Sequence, residues 1–278
     1  MKLDGALFAI ERRTMGGCID LGIAFFREHM ATLVGLTSVF AVPCCALVCW
    51  LAMTTEDGLY YSLLTFVAVS PLLGAALAAG CGQRVFGDSL TVGGCLAKSW
   101  SRFFTLVGYA IVVRVGGFIL VWVLVLPALL LANRYGFIAE LLYLEQLPGK
   151  RISKRISALT KSYFTNLLGR MVGIGFFYVI VVIALFTIAD TVGTLLLGTP
   201  IMFTRATGTG VERFEEMMDL FWTDSLIITV LHAVMWLAYP ICRLAWLFCY
   251  LDLRIRREGW DIDLDCRIEA RRLEAAVG

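Results

Sequence analysis

Long apolar runs separated by short polar ones set the pattern of this chain. Runs of the length that an α-helix needs to cross a hydrocarbon core, about 20 residues, occupy 31–53, 59–82, 104–125, 170–198 and 224–250. A less uniform sixth, LPALLLANRYGFIAELLYLEQ, occupies 126–146. The segments before the odd-numbered runs have a different periodicity. Apolar residues recur there at helical spacing with basic residues between them: Ile19, Ile23, Phe26 and Met30; Val92, Leu96, Trp100 and Phe103; Ile152, Ile156, Leu159, Tyr163 and Leu167. That spacing predicts amphipathic helices in the headgroup plane. FFREHMATLVGL (25–36), KSWSRFFTLVGY (98–109) and KSYFTNLLGRMVG (161–173) lead into the first, third and fifth crossings, and TLVG occurs identically at 32–35 and 105–108. The chain reads as three units, each a surface helix followed by a membrane hairpin, related as parallel rather than inverted repeats.

Composition agrees with that pattern. Hydrophobic residues make up 59% and charged residues 17% of 278, with a mean hydropathy of +0.82, against the roughly 45–50% apolar content of soluble domains. The predicted class is all-α: a polytopic membrane protein with six membrane helices and amphipathic helices on the cytoplasmic side. A formal net charge of +2 is too small to argue for nucleic acid. Residues 1–30 carry Asp4, Glu11, Arg12 and Arg13 and no apolar core ahead of a cleavage site, so the first run is expected to stay as an uncleaved anchor. Six of the nine cysteines, Cys44, Cys45, Cys49, Cys81, Cys242 and Cys249, lie in or at the ends of apolar runs, and no C-x-x-C pair occurs. Neither disulfides nor a zinc site is expected.

The distribution of charge fixes the expected orientation. Most of the 24 basic residues fall in 1–30, 83–103, 147–170 and the tail, while the loops at 54–58 and 199–223 hold Arg205 and Arg213 among six acids. By the positive-inside rule both termini are cytoplasmic, and 104–146 must pass twice or form a re-entrant hairpin, with Pro127 placed for its turn. The expected organisation is a cytoplasmic amphipathic segment (1–30), a six-helix membrane domain (31–252) and a charged cytoplasmic tail (253–278).

Ionisable residues inside a membrane cost roughly 2.5–3.5 kcal/mol at the helix centre and are functional candidates by default. Arg114 lies about 15 Å beyond Phe104 at helical rise, near the midplane; facing the bundle interior and pairing with Glu140 or a backbone carbonyl is its expected role, ahead of transport. Arg134 lies in the sixth run. Asp190 is expected at the outer interface, and Arg243 is placed to snorkel toward the inner headgroups. His232 is either hydrogen-bonded within the bundle or a proton relay. Ser70, Gly74 and Ala78, like Gly169 and Gly173, have the spacing that lets another helix approach. VERFEEMMDLFW (211–222) places Val211, Phe214, Met218 and Phe221 opposite its acids, as a surface helix hinged by TGTG at 207–210. Lys150, Arg151, Lys154, Arg155 and Lys161, with Arg254, Arg256 and Arg257, are candidate contacts to lipid headgroups. Gly259 is expected to end the last helix, Trp260 to sit at the interface, and Asp261, Asp263 and Asp265 to leave it in an extended, solvated tail. No phosphate loop, nucleophile–base pair, H-E-x-x-H or carboxylate cluster appears, so no catalytic residue, cofactor or metal is expected.

LPALLLANRYGFIAELLYLEQ followed by KRISALTKSYFTNLLG, with a final crossing ending in YLDLRIRREGWDIDL, resembles the bacterial integral-membrane family related to the membrane domain of glycerophosphoryl diester phosphodiesterases. The resemblance spans roughly residues 15–265 and implies a six-helix membrane architecture with a cytoplasmic tail in the bacterial inner membrane. It does not imply diesterase activity, because the chain has neither room for the catalytic domain nor its His-Arg-Gly motif. Ala128 follows Pro127 where the family pattern often has Gly. The expected function is a non-enzymatic scaffold or accessory subunit that meets membrane lipids, anionic headgroups among them, or a membrane-protein partner. The alternative is a small transporter or permease component in which Arg114, Glu140 and His232 line one polar path.

Overall fold

The six apolar runs form six helices long and apolar enough to cross a membrane. The computed structural model describes residues 12–84, 90–198, 201–203, 205–206 and 209–259, and the described residues contain helices and no strand. The order is α1 (Met15–Glu28), α2 (Met30–Thr54), α3 (Gly58–Arg84), α4 (Val92–Trp100), α5 (Phe103–Val123), α6 (Val125–Tyr135), α7 (Ile138–Tyr143), α8 (Gly149–Thr160), α9 (Phe164–Leu197), α10 (Val211–Thr223) and α11 (Ser225–Glu258). A short helix followed by two long passes recurs three times, beginning at α1, α4 and α8, with α6 and α7 sharing one pass and α10 inserted in the last unit.

α11 is the axis of the bundle. It packs against α1, α2, α3 and α9 and is buried along most of its length, whereas α2, α5 and α9 expose rows of Val, Ile, Leu and Phe. Exposed rows of this kind are lipid-facing surface in a membrane protein and would be aggregation-prone in water. Asp224 starts α11 by accepting from the amides of Leu226 and Ile227, and Gly259, with φ 63°, ends it as expected. α11 therefore runs past residue 252, the expected edge of the membrane domain. The positions Trp260, Asp261, Asp263 and Asp265 lie outside the described residues.

The hairpin at 104–146 is real but turns elsewhere than expected. The chain reverses at Leu124, and Pro127 sits in the first turn of α6, where a missing N–H breaks no helical bond. A second break at Gly136 and Phe137 separates α6 from α7.

Two of the three amphipathic stripes correct the membrane-plane reading. In α8 Ile152, Ile156 and Leu159 are all buried within the protein core, so this apolar face meets other helices instead of lipid. In α1 the buried face is Cys18, Leu21, Gly22 and Phe25 with Ile19, while Ile23 and Met30 of the predicted stripe point outward. α4 divides its stripe: Val92 and Leu96 pack on the core and Trp100 is exposed, stacked on Phe103. Apolar periodicity reports a face that avoids water and cannot distinguish protein from lipid as its partner. α10 keeps Val211, Phe214 and Met218 exposed, while Phe221 packs inward with Met217 and Leu220.

The seam between α1 and α11 is set by Gly22. A Cβ there would meet the Ala245 nitrogen at 3.0 Å and the Ile241 carbonyl oxygen at 3.2 Å, both backbone atoms of a buried helix that cannot swing aside. Gly22→Leu is therefore expected to destabilise the protein by about 1–3 kcal/mol, as overpacking does, and to loosen α1. Thermal unfolding in detergent, with limited proteolysis at 12–28, checks this; an unchanged melt with an uncut α1 would contradict the close seam.

Candidate functional site

Three polar arrangements lie along α11, and only one opens outward. The deepest is an ion pair. Arg243 Nη1 lies 2.5 Å from Glu140 Oε1, with the Glu140 side chain fully buried and that of Arg243 11% exposed. This corrects two expectations: Glu140 pairs with Arg243 rather than with Arg114, and Arg243 turns inward instead of snorkelling to headgroups. A buried cation with a carboxylate one helix away gains more from that partner than from a stretched route to water. Gly74 makes the route possible. A Cβ at that position would lie 2.7 Å from the Tyr239 hydroxyl and 2.9 Å from Arg243 Nε. Ser70, Gly74 and Ala78 are all buried, as the small-residue spacing predicts, and the Tyr239 hydroxyl donates to the Ser70 carbonyl at 3.0 Å. Of the other spaced pair, Gly173 faces Met15 of α1, whereas nothing lies near Gly169.

The second arrangement clasps the basic end of the bundle. Asp252 accepts from the Arg13 amide at 2.6 Å and pairs with Arg170 at 2.7 Å and Arg256 at 2.8 Å; both arginines also donate to the Arg13 carbonyl. Glu145 takes Arg155 at 2.8 Å and the Tyr250 hydroxyl at 2.7 Å, and Glu258 takes Arg254 at 2.6 Å and also bonds Arg155. Of the candidate headgroup contacts, Arg155, Arg254 and Arg256 are therefore engaged within the protein. Arg257 is exposed and donates to the Ala158 carbonyl, and Arg151, Lys154 and Lys161 are exposed. The side chain of Lys150 is not among those described.

The remaining candidates separate. His232 is buried: the Trp236 indole donates to its Nε2 at 2.9 Å and Ser62 lies 3.0 Å from its Nδ1. Indole nitrogen only donates, so Nε2 is the acceptor and Nδ1 carries the proton toward Ser62. That is a satisfied interior histidine, away from Arg114 and Glu140. Asp190 is buried and accepts from the amides of Ile201 and Met202, which fixes the chain after α9. Arg134 is exposed over the Tyr135 ring at 5.8 Å.

The third arrangement is a cavity of about 520 Å³ between α3, the α5–α6 hairpin, α7 and α11. Leu106, Tyr109, Val113, Gly117 and Val121 recur along α5 at three- and four-residue intervals as one wall, with Ala128 and Leu129 opposite and Tyr135, Tyr239 and Arg243 on the same lining. Arg114 also lines it, is exposed, and makes no hydrogen bond or ion pair with another described residue. Phe118, Val121 and Val125, all exposed, border the open side. The volume falls in the usual range for a small-molecule site, about 300–1,000 Å³. Sequence reasoning found Arg114 and missed the wall, although the spacing of Leu106, Val113, Gly117 and Val121 carries it. Among the described residues no group of three His, Cys, Asp or Glu side chains could hold a metal ion.

Glu140→Leu and Arg243→Met are each expected to cost about 3–5 kcal/mol by stranding a buried partner, and the double substitution less than the sum; thermal unfolding of the four proteins measures the coupling, and additive losses would contradict the pair. At Glu145, burial raises the carboxyl pKa, but the hydrogen bonds from Arg155 and Tyr250 and the charge of Arg254 outweigh it, so the folded value lies below the ordinary one. Its contribution to stability is present above the unfolded value of about 4.3 and is lost as pH falls through the lower folded value. Melting temperature against pH should fall in that acid range and do so less in Glu145→Gln; identical curves would remove Glu145 from the clasp.

Compared with protein-family models, curated proteins and solved structures, the chain finds no match in any of the three.

Proposed function

We propose that this is a non-enzymatic multipass protein of a bacterial cytoplasmic membrane that binds membrane amphiphiles, as a lipid-interacting scaffold or accessory subunit. Its two termini lie on the cytoplasmic side in this reading, following the positive charge of the α1, α4 and α8 segments. The observation that carries the proposal is the cavity itself: an apolar wedge beside a lipid-facing hairpin, with one exposed guanidinium that has no partner among the described residues. A lipid-like molecule can enter sideways, place its chain against α5 and α6, and offer a polar group to Arg114. Kinship with the family that the LP turn and basic stretch resemble belongs to the same proposal.

The permease alternative required Arg114, Glu140 and His232 on one polar path. Arg114 lines the cavity, Glu140 is sealed against Arg243, and His232 is held between Ser62 and Trp236. The scaffold reading of the basic rim is narrowed in the same way, because Arg155, Arg254 and Arg256 are already engaged within the protein.

Gly117 supplies the test. Nothing lies within 4 Å of a Cβ built there, so a side chain can start from this position without a backbone clash, and Gly117→Trp is expected to occupy the wedge that Gly117 lines. Native mass spectrometry of detergent-purified protein is expected to show retained lipid adducts on the wild type and their loss from Gly117→Trp at an unchanged melting temperature. Equal adduct retention would place lipid binding elsewhere.

A further inference from the structure

The cavity carries an electrostatic imbalance that narrows its ligand. Arg114 and Arg243 both line it, each within electrostatic reach of the Tyr239 hydroxyl. Glu140 pairs with Arg243 and is the only carboxylate bonded to either guanidinium among the described residues. Two cations and one anion leave a single positive charge. Arg114 lies about 15 Å along α5 from Phe104, well below the headgroup plane, where an uncompensated charge is costly. The lining offers no further acid.

Resting on the amphiphile-binding reading, we infer that the ligand is a single-chain amphiphile with one negative charge, a fatty carboxylate, its acid group seated at Arg114 on the side facing Arg243. One negative charge restores neutrality. A dianionic phosphomonoester overshoots it, and an ester, alcohol or zwitterion leaves the charge standing. A guanidinium presents paired N–H donors whose spacing matches the two oxygens of a carboxylate. Depth separates the carboxylate from a phosphodiester lipid of the same charge. The acid group of a fatty acid is terminal and unsubstituted, so nothing polar beyond it must be buried. A glycerophospholipid would have to carry its headgroup substituent into the apolar wedge. Val113, Phe118, Val121 and Leu129 offer the chain a surface on both arms of the hairpin. Arg243 adds its field to the site, with its Nη1 held by Glu140.

The full-length protein in phosphatidylcholine nanodiscs, titrated with doxyl-labelled stearic acid and separately with its methyl ester, reads both parts of this inference by spin-label immobilisation. Above the Gly117→Trp background, the acid is expected to bind at least about tenfold more tightly than the ester, a difference of about 1.4 kcal/mol. Arg114→Gln, a substitution at an exposed position, should remove that preference and leave ester binding in place. If both probes bind the wild type equally and Gly117→Trp blocks both, the cavity takes amphiphiles and the charge assignment is overturned. If neither probe exceeds the Gly117→Trp background, the amphiphile reading falls with it. Arg114→Gln weakening acid and ester alike would overturn the placement of the acid group at Arg114. Unlabelled phosphatidylglycerol displacing the acid as well as unlabelled oleic acid does would overturn the single-chain assignment.

Discussion

A charge withdrawn from water must find its opposite nearby, and in this protein that requirement organises the bundle around Arg243. Its side chain leaves α11, passes α3 at the one position without a Cβ in its way, Gly74, and ends on Glu140 of α7. Three passes are thereby held in one register. The break in the sixth apolar run has the same origin. An unbroken helix from 125 to 143 would fix the direction of Glu140 by the course of α6; the turn at Gly136 and Phe137 frees α7 to set it against Arg243. The carbonyl released at that break accepts from the Trp246 indole at 2.9 Å, and Phe137 stacks on the same indole at a centroid distance of 4.6 Å. In a medium without water, a helix can be interrupted only where other groups take up its loosened backbone. α11 supplies them here.

The C-terminal end of α11 repeats the rule with charges nearer the surface. Asp252 gathers Arg170, Arg256 and the backbone of Arg13, and so ties the start of α1 and the start of α9 to the end of α11. Glu145 and Glu258 do the same for α8 through Arg155 and Arg254. The basic residues at this end of the bundle are thus partly internal fasteners. What remains for headgroups is the exposed subset on and beside α8, with Arg257.

Much of the architecture is legible in the sequence because the bilayer imposes it. Length and apolarity locate six passes, the small residues on α3 mark its packed face, and Gly259 ends α11 where expected. What escapes is anything that depends on choosing among partners of equal chemistry. Glu140 could meet Arg114, 26 positions earlier, or Arg243, 103 positions later, and only the packing of α7 against α3, with the opening at Gly74, decides. The stripe of α8 looks the same whether it faces lipid or Leu167 and the core. The cavity wall was readable as a row of apolar and small residues on α5. Its meaning depended on a gap between helices, and a gap has no letters of its own.

The distribution of packing also explains why binding would be placed on the hairpin rather than on the axis. α11 combines a long buried face with ion pairs and capped ends, so any motion there would expose charge and carry α1, α2, α3 and α9 with it. α5 is the opposite case. Hardly any of it is buried, and Ile111, Val112, Val115, Phe118 and Ile119 are all exposed. Elements with few buried contacts sit at the low-stability end of a protein, where lids and binding segments are drawn from. α5 therefore has fewer packed contacts to lose on binding than the helices around the Arg243–Glu140 pair behind it. In the proposed complex an anion seated at Arg114 supplies the charge that the Arg243–Glu140 pair leaves unanswered, on the side of the cavity where the fewest packed contacts are at stake.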